Sequence, residues 1–269
     1  MAQTQEMGKK TGASLWYFIV LCVFISVSDA SSSFAGDDFS LKSELLNIKS
    51  DYSKFYLNGN NLLLLGLGIS VNGISANTHL DKDIQNSYSD HVKNSATDDL
   101  STWVKQPGEG LYTIPALIGG YIFLRDTPVG DWSERSLRAL AVGGPTTLFL
   151  QYAIGSESPT EGGSGWKPFQ SHNAVSGHAF VGSVPFITAA QMFDNIGLKI
   201  TLYGVSILPA VSRINDNQHY FSQAFLGWYL GLLSCNAVYR TDHKDKETIS
   251  VYPLSISGKG LGVIVTKSF

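Results

Sequence analysis

Apolar stretches of helical length recur along this chain, separated by polar or Gly/Pro-marked breaks. They run over Leu62–Val71, Ile114–Leu124, Ala139–Ile154, Ala179–Phe193, Ile196–Val211 and Ala224–Val238. Segments of this kind, closed by turn residues, predict helices packed against one another. Each falls short of the roughly 18 consecutive apolar residues that make a membrane span the default reading. The pattern leaves both a soluble and a membrane-embedded bundle open. From Gly36 to about His91 the chain reads as helical with polar breaks, and Asn77–Ser101 reads as an amphipathic helix plus a loop leading to Trp103 and a turn at Pro107-Gly108. The end differs in kind, because Thr248–Leu254 and Leu261–Val265 are β-prone runs around Ser255–Lys259, the pattern of a short hairpin.

The beginning reads as an export signal. Lys9 and Lys10 precede an apolar run from Leu15 to Val27, and small residues follow at Ala30 and Ala35. Residues 1–35 are therefore expected to be a signal peptide or an uncleaved N-terminal anchor, followed by a helical region over 36–110, a core over 111–242 and a tail over 243–269.

Composition narrows the picture. The 269 residues are 43% hydrophobic and 15% charged, with a net charge of -3, so the chain suits one packed domain and lacks the basic field that nucleic acid requires. Cys22 falls in the apolar leader and Cys235 among Leu232, Leu233 and Val238, which argues for neither a disulfide nor a metal site. A mean hydropathy of +0.04 is low for a polytopic membrane protein.

The chemistry concentrates in two clusters, Val175-Ser176-Gly177-His178 and Ser212-Arg213 followed by His219 and Gln223. Each stands just before an apolar helical segment. A helix N-terminus presents unpaired N–H groups and partial positive charge, so Ser176, Gly177 and His178 form a candidate phosphate cradle. His219 and Gln223 are four residues apart and share a helical face, where the amide can orient the imidazole. Arg213 supplies a planar fork for two phosphate oxygens. Lys167, in the loop 162–170, is a further candidate phosphate-binding cation, with His172 a weaker donor.

At these residues the chain resembles the phosphatidic acid phosphatase type 2 and haloperoxidase superfamily, whose pattern is K-x6-R-P, P-S-G-H and S-R-x5-H-x3-D. The resemblance covers about Tyr112 to Tyr239. It implies an all-α, six-helix bundle, here with an N-terminal signal segment and the short C-terminal β hairpin. It also implies a metal-free, cofactor-free phosphatase in which His219 attacks phosphorus, giving a phosphohistidine, while His178 protonates the leaving group. Arg213, Ser176 and Gly177 would bind the phosphate. Vanadate would be a cofactor only in a haloperoxidase-like member. The partners implied are a phosphorylated small molecule or lipid at the periplasmic side of a bacterial envelope.

Departures from the pattern bear on rate. Aligning the first motif on Pro159 puts Gln151 in place of Lys and Ser158 in place of Arg; Val175 replaces Pro and Gln223 replaces Asp. Charge-assisted hydrogen bonds contribute about 1.5 to 3 kcal/mol each, so losing two cations predicts a slower enzyme or a catalytically weak anion-binding protein. Amide for carboxylate at position 223 keeps an acceptor and removes the charge that stabilises an imidazolium.

Overall fold

The computed structural model describes residues 41–243, 248–256 and 260–268, with side chains described over 46–243. The proposed leader, Cys22 and Phe269 lie outside the described residues. Ten α-helices are present among those described: α1 (Leu41–Tyr56), α2 (Gly59–Asn77), α3 (Leu80–His91), α4 (Ser95–Val104), α5 (Gly110–Phe123), α6 (Pro128–Ile154), α7 (Gly177–Met192), α8 (Ile196–Val205), α9 (Leu208–Asn215) and α10 (Phe221–Asp242). A single 3-10 turn, Gln106–Gly108, joins α4 to α5. Strands β1 (Thr248–Ile256) and β2 (Gly260–Ser268) pair antiparallel, Val251 opposite Val265.

The helix count exceeds the six apolar segments for two reasons. Helices α1, α3 and α4 are polar on much of their surface and register poorly as apolar runs. The segment Ile196–Val211 is also not continuous, because α8 ends at Val205 and α9 begins at Leu208, with Pro209 in its first turn. Proline lacks the N–H that would continue α8 and fits the opening turn of a new helix. Ser206, in the break, donates to Tyr203 O and accepts from Trp228 Nε1 of α10, which holds the joint in place.

Side-chain caps set several helix starts. Asn58 accepts from Asn61 N–H, Asn94 forms a reciprocal capping box with Thr97, Thr127 caps α6 ahead of Pro128, and Asn195 caps α8. The Asn94 cap divides the polar stretch 77–101 into α3 and α4. At the far end of α6, Gly155 turns the chain with φ +60, a left-handed value, where a Cβ would also collide with the carbonyl of Lys167.

Helix α10 is central and packs against α7, α6, α2 and α1. The core between them includes Leu117, Val175, Phe180, Val184, Ile187, Leu226, Leu230 and Cys235, all at most 3% exposed. Burial pushes the Cys235 thiol up to about 12, so it behaves as packing rather than as a reactive group. The approach of α10 to α7 is close at Gly227, where any Cβ would meet the carbonyl of Ser176. That contact seats the start of α10 against the start of α7.

Buried polar contacts attach the N-terminal helices to the same region. Asn72 of α2 donates to Ala174 O and Ser222 O, and Asp81 of α3 accepts from Ser222 N–H and Oγ–H. At the opposite end, Arg138 of α6 donates twice to Asp51 of α1, both bonds 2.8 Å, and once to Asp242 of α10 at 2.9 Å. No helix among the described residues is long and apolar enough to cross a membrane.

Candidate functional site

Three helix ends converge on one place: the N-terminus of α7, the C-terminal end of α9 with the turn after it, and the N-terminus of α10. Ser176 is the N-cap of α7, fully buried, its Oγ accepting from Ala179 N–H at 3.3 Å. The hydroxyl expected to meet phosphate thus forms the helix cap, and the donors left at this end are the first-turn N–H groups of Gly177 and His178. A Cβ on Gly177 would meet nothing nearer than Gln151 Nε2 at 3.6 Å, so packing does not demand this glycine. The room it leaves suits an anion.

His219 stands one residue ahead of the N-cap of α10. Its Nδ1 lies 3.1 Å from Gln223 Oε1. The orientation of that amide is set by unambiguous partners, since Oε1 also accepts from Tyr220 N–H at 3.0 Å and Nε2 donates to Glu157 O at 2.8 Å and Ser156 Oγ at 2.7 Å. An oxygen facing Nδ1 requires the proton on Nδ1, leaving the lone pair on Nε2. Replacing carboxylate by amide therefore keeps the tautomer a nucleophile needs. Burial dominates the titration of His219 and lowers it to about 4; the bond from Gln223 opposes the shift, while Arg213 and His178 add to it.

His178 and Arg213 complete the cluster. Arg213 and His178 both act electrostatically on His219, and Arg213 acts on His178. His178 Nε2 lies 3.1 Å from Glu109 Oε1 in the turn before α5. Desolvation holds His178 below its ordinary value, with Arg213 acting in the same direction and Glu109 against it. Arg213 is nearly buried, with Nη1 3.7 Å from Asp216 Oδ2 and its Nε buried without a hydrogen-bond partner. Burial weakens its hold on the proton, and Asp216 and Glu109 counteract. A buried guanidinium with an orphaned N–H is a ready anion ligand.

The replaced motif positions split. Gln151 lies at the site, donating to Val175 O at 2.9 Å beside the α7 N-terminus. Ser158 is turned away into its own loop, bonding Thr160 and Glu161. Lys167, the candidate compensating cation, is paired with Glu157 Oε1 at 2.6 Å, and this contact keeps the Glu157 carboxyl below its usual range. His172 stacks on Tyr152.

Sequence reading passed over Glu109, Lys105 and Asp216. Lys105 Nζ bonds Asp216 Oδ2 at 3.1 Å, and Lys105 also acts electrostatically on His178. Asp216 sits inside the gap between Arg213 and His219, which was a signal available in the chain; Glu109 and Lys105 belong to a distant turn and carried none. No group of His, Cys, Asp and Glu suited to a metal ion occurs among the described residues.

Residues 139–247 match the family model described as PAP2 superfamily. The matched stretch begins within α6 and runs past the end of α10, so it contains both histidines, Arg213, Gln151 and Gln223. No curated protein and no solved structure matches the chain.

Proposed function

We propose, on the match of residues 139–247 to the PAP2 superfamily model, that this chain is a phosphatase hydrolysing phosphate monoesters or lipid-linked phosphates through a phosphohistidine on His219. The observation that carries the proposal is the locked Gln223 amide, which holds the proton on Nδ1 and so keeps the lone pair of an uncharged His219 on Nε2. Arg213 and the first-turn N–H groups of α7 hold the phosphoryl oxygens. His219 Nε2 bonds to phosphorus as the ester P–O bond breaks, and His178 gives the departing alkoxide its proton. Water then breaks the N–P bond, returning His219 and releasing phosphate, with the proton from that water restoring His178.

A second reading, a slow or non-catalytic anion binder, is favoured by one feature: neither Gln151, Ser158 nor Lys167 brings an unpaired cation to the phosphate. One assay separates the two. Phosphate release from p-nitrophenyl phosphate and from a lipid phosphate is measured for the wild type, His219→Ala and Gln151→Lys. The enzyme reading expects His219→Ala to lose at least about 10³-fold in kcat/KM. Equal rates in wild type and His219→Ala, with Gln151→Lys still binding phosphate, would leave the binder. The envelope is the compartment we propose for either activity, on the strength of the leader-like residues 9–35.

A further inference from the structure

A cavity of about 320 Å³ lies between α3, the loop after α6 and the turn before α10. Lys82, Gln85, Asn86, Ser89, Thr160 and Asn217 form its polar wall, and Pro159 and Tyr220 close it. Neither histidine lines it, yet its walls adjoin the site. Tyr220 directly follows His219, and Asn217 belongs to the turn that carries His219.

Two features indicate what would occupy it. Gln85 is only 7% exposed, and its amide orientation is set because Nε2 donates to Ile214 O at 3.3 Å and to Asn217 Oδ1 at 2.7 Å. Its Oε1 is left buried without a donor, a cost that an incoming hydroxyl would relieve. Asn217 meanwhile holds φ +54, an uncommon value for a side-chain-bearing residue, while presenting its oxygen to Gln85. The wall is more polar than apolar, and besides Pro159 and Tyr220 the other six of its eight residues all carry side-chain donors or acceptors. An acyl chain placed there would strip water from those groups and replace none of their hydrogen bonds.

We infer that this cavity receives the alcohol half of the phosphoester, and that this alcohol is a polyhydroxylated, sugar-sized group. The inference rests on the phosphatase reading for the phosphate half and is independent of it for the cavity. It narrows the substrate to hydrophilic phosphate esters, with hydroxyls meeting Gln85, Asn86 and Asn217.

Binding is measured by calorimetry for glucose 6-phosphate, p-nitrophenyl phosphate and dodecyl phosphate, using wild type, Gln85→Leu and Asn86→Trp. Gln85 supports the turn through Asn217, so Asn86→Trp, which fills the cavity from an exposed position on α3, guards against a folding defect in the first variant. The wild type should prefer glucose 6-phosphate over the other two esters by about tenfold or more, and both variants should abolish that preference. Equal affinity for the three esters, a preference for dodecyl phosphate, or a glucose 6-phosphate preference that survives Asn86→Trp overturns the inference. Methyl glucoside, which lacks phosphate, is examined in parallel by saturation-transfer NMR. Should no ester bind, the phosphate reading fails by itself, and the glucoside decides the cavity: a wild-type signal lost in Asn86→Trp supports it, and no wild-type signal overturns it.

Discussion

Burial keeps the His219 ring uncharged down to about pH 4, while His178, which must carry a proton to act as the acid, loses that proton below its ordinary value because burial and Arg213 both disfavour the cation. The two requirements are opposed in sign. Activity needs His219 deprotonated, so kcat/KM falls as pH drops through about 4; it needs His178 protonated, so kcat/KM also falls on the alkaline side, starting below pH 6.5. A pH profile with p-nitrophenyl phosphate should thus be bell-shaped with an acid optimum, and Glu109→Gln should move its alkaline limb to still lower pH by removing the carboxylate that supports the His178 cation. An alkaline limb above pH 7, or one that ignores Glu109, would remove His178 from the acid role. Stability follows the same sign. Between about 4 and 6.5 the unfolded chain binds a proton at His219 that the folded one refuses, so the fold weakens as pH falls through that window.

Among the helices, the site depends on how α10 is held. Its start is seated by Gly227 against α7 and by Ser222 against Asp81, and its end is tied through Asp242 to Arg138 of α6. Arg138 is 6% exposed and Asp51 is not exposed at all. Removing the guanidinium would leave a carboxylate buried without its partner, and such losses typically cost about 3 to 5 kcal/mol. Arg138→Met should therefore lower the unfolding free energy measured in urea by that amount, whereas Lys93→Met, which loses a half-exposed pair with Asp98 and one hydrogen bond to Asn215 O, should lower it by no more than about 1.5 kcal/mol. Comparable small effects for both would mean that the ion pairs do not anchor α1 to the bundle.

For the molecule as a whole, the outer surface is more apolar than its charge content suggests. Leu111, Ile122 and Phe123 of α5 and Leu148 and Phe149 of α6 are each 59 to 83% exposed, on two helices packed together. Exposed apolar side chains on two packed helices make this pair the candidate face for contact with another apolar phase. On phase separation in a clouding detergent, the chain should enter the detergent phase, and Ile122→Lys with Phe123→Glu and Phe149→Lys should return it to the aqueous phase without lowering its melting temperature. Detergent partitioning that the triple variant leaves intact would place the contact elsewhere.

The helical class and the local pieces of the site are legible in the order of residues alone. Ser176-Gly177-His178 and Arg213 with His219 and Gln223 were readable because helix starts are set by caps and by spacing over a few residues, which the chain displays directly. Gln151 was readable in the same way, as a replaced motif position. Which groups meet depends on packing between distant parts of the chain. Glu109 faces His178 across 69 positions, Lys167 pairs with Glu157 instead of standing at the phosphate, and Ser158 turns to Glu161. Packing also decides which way the Gln223 amide points, because Glu157 O and Tyr220 N–H fix its two ends. Ionic pairing, amide orientation and proton affinity depend on burial and on neighbours brought together by packing, and neither is written in the spacing of residues along the chain.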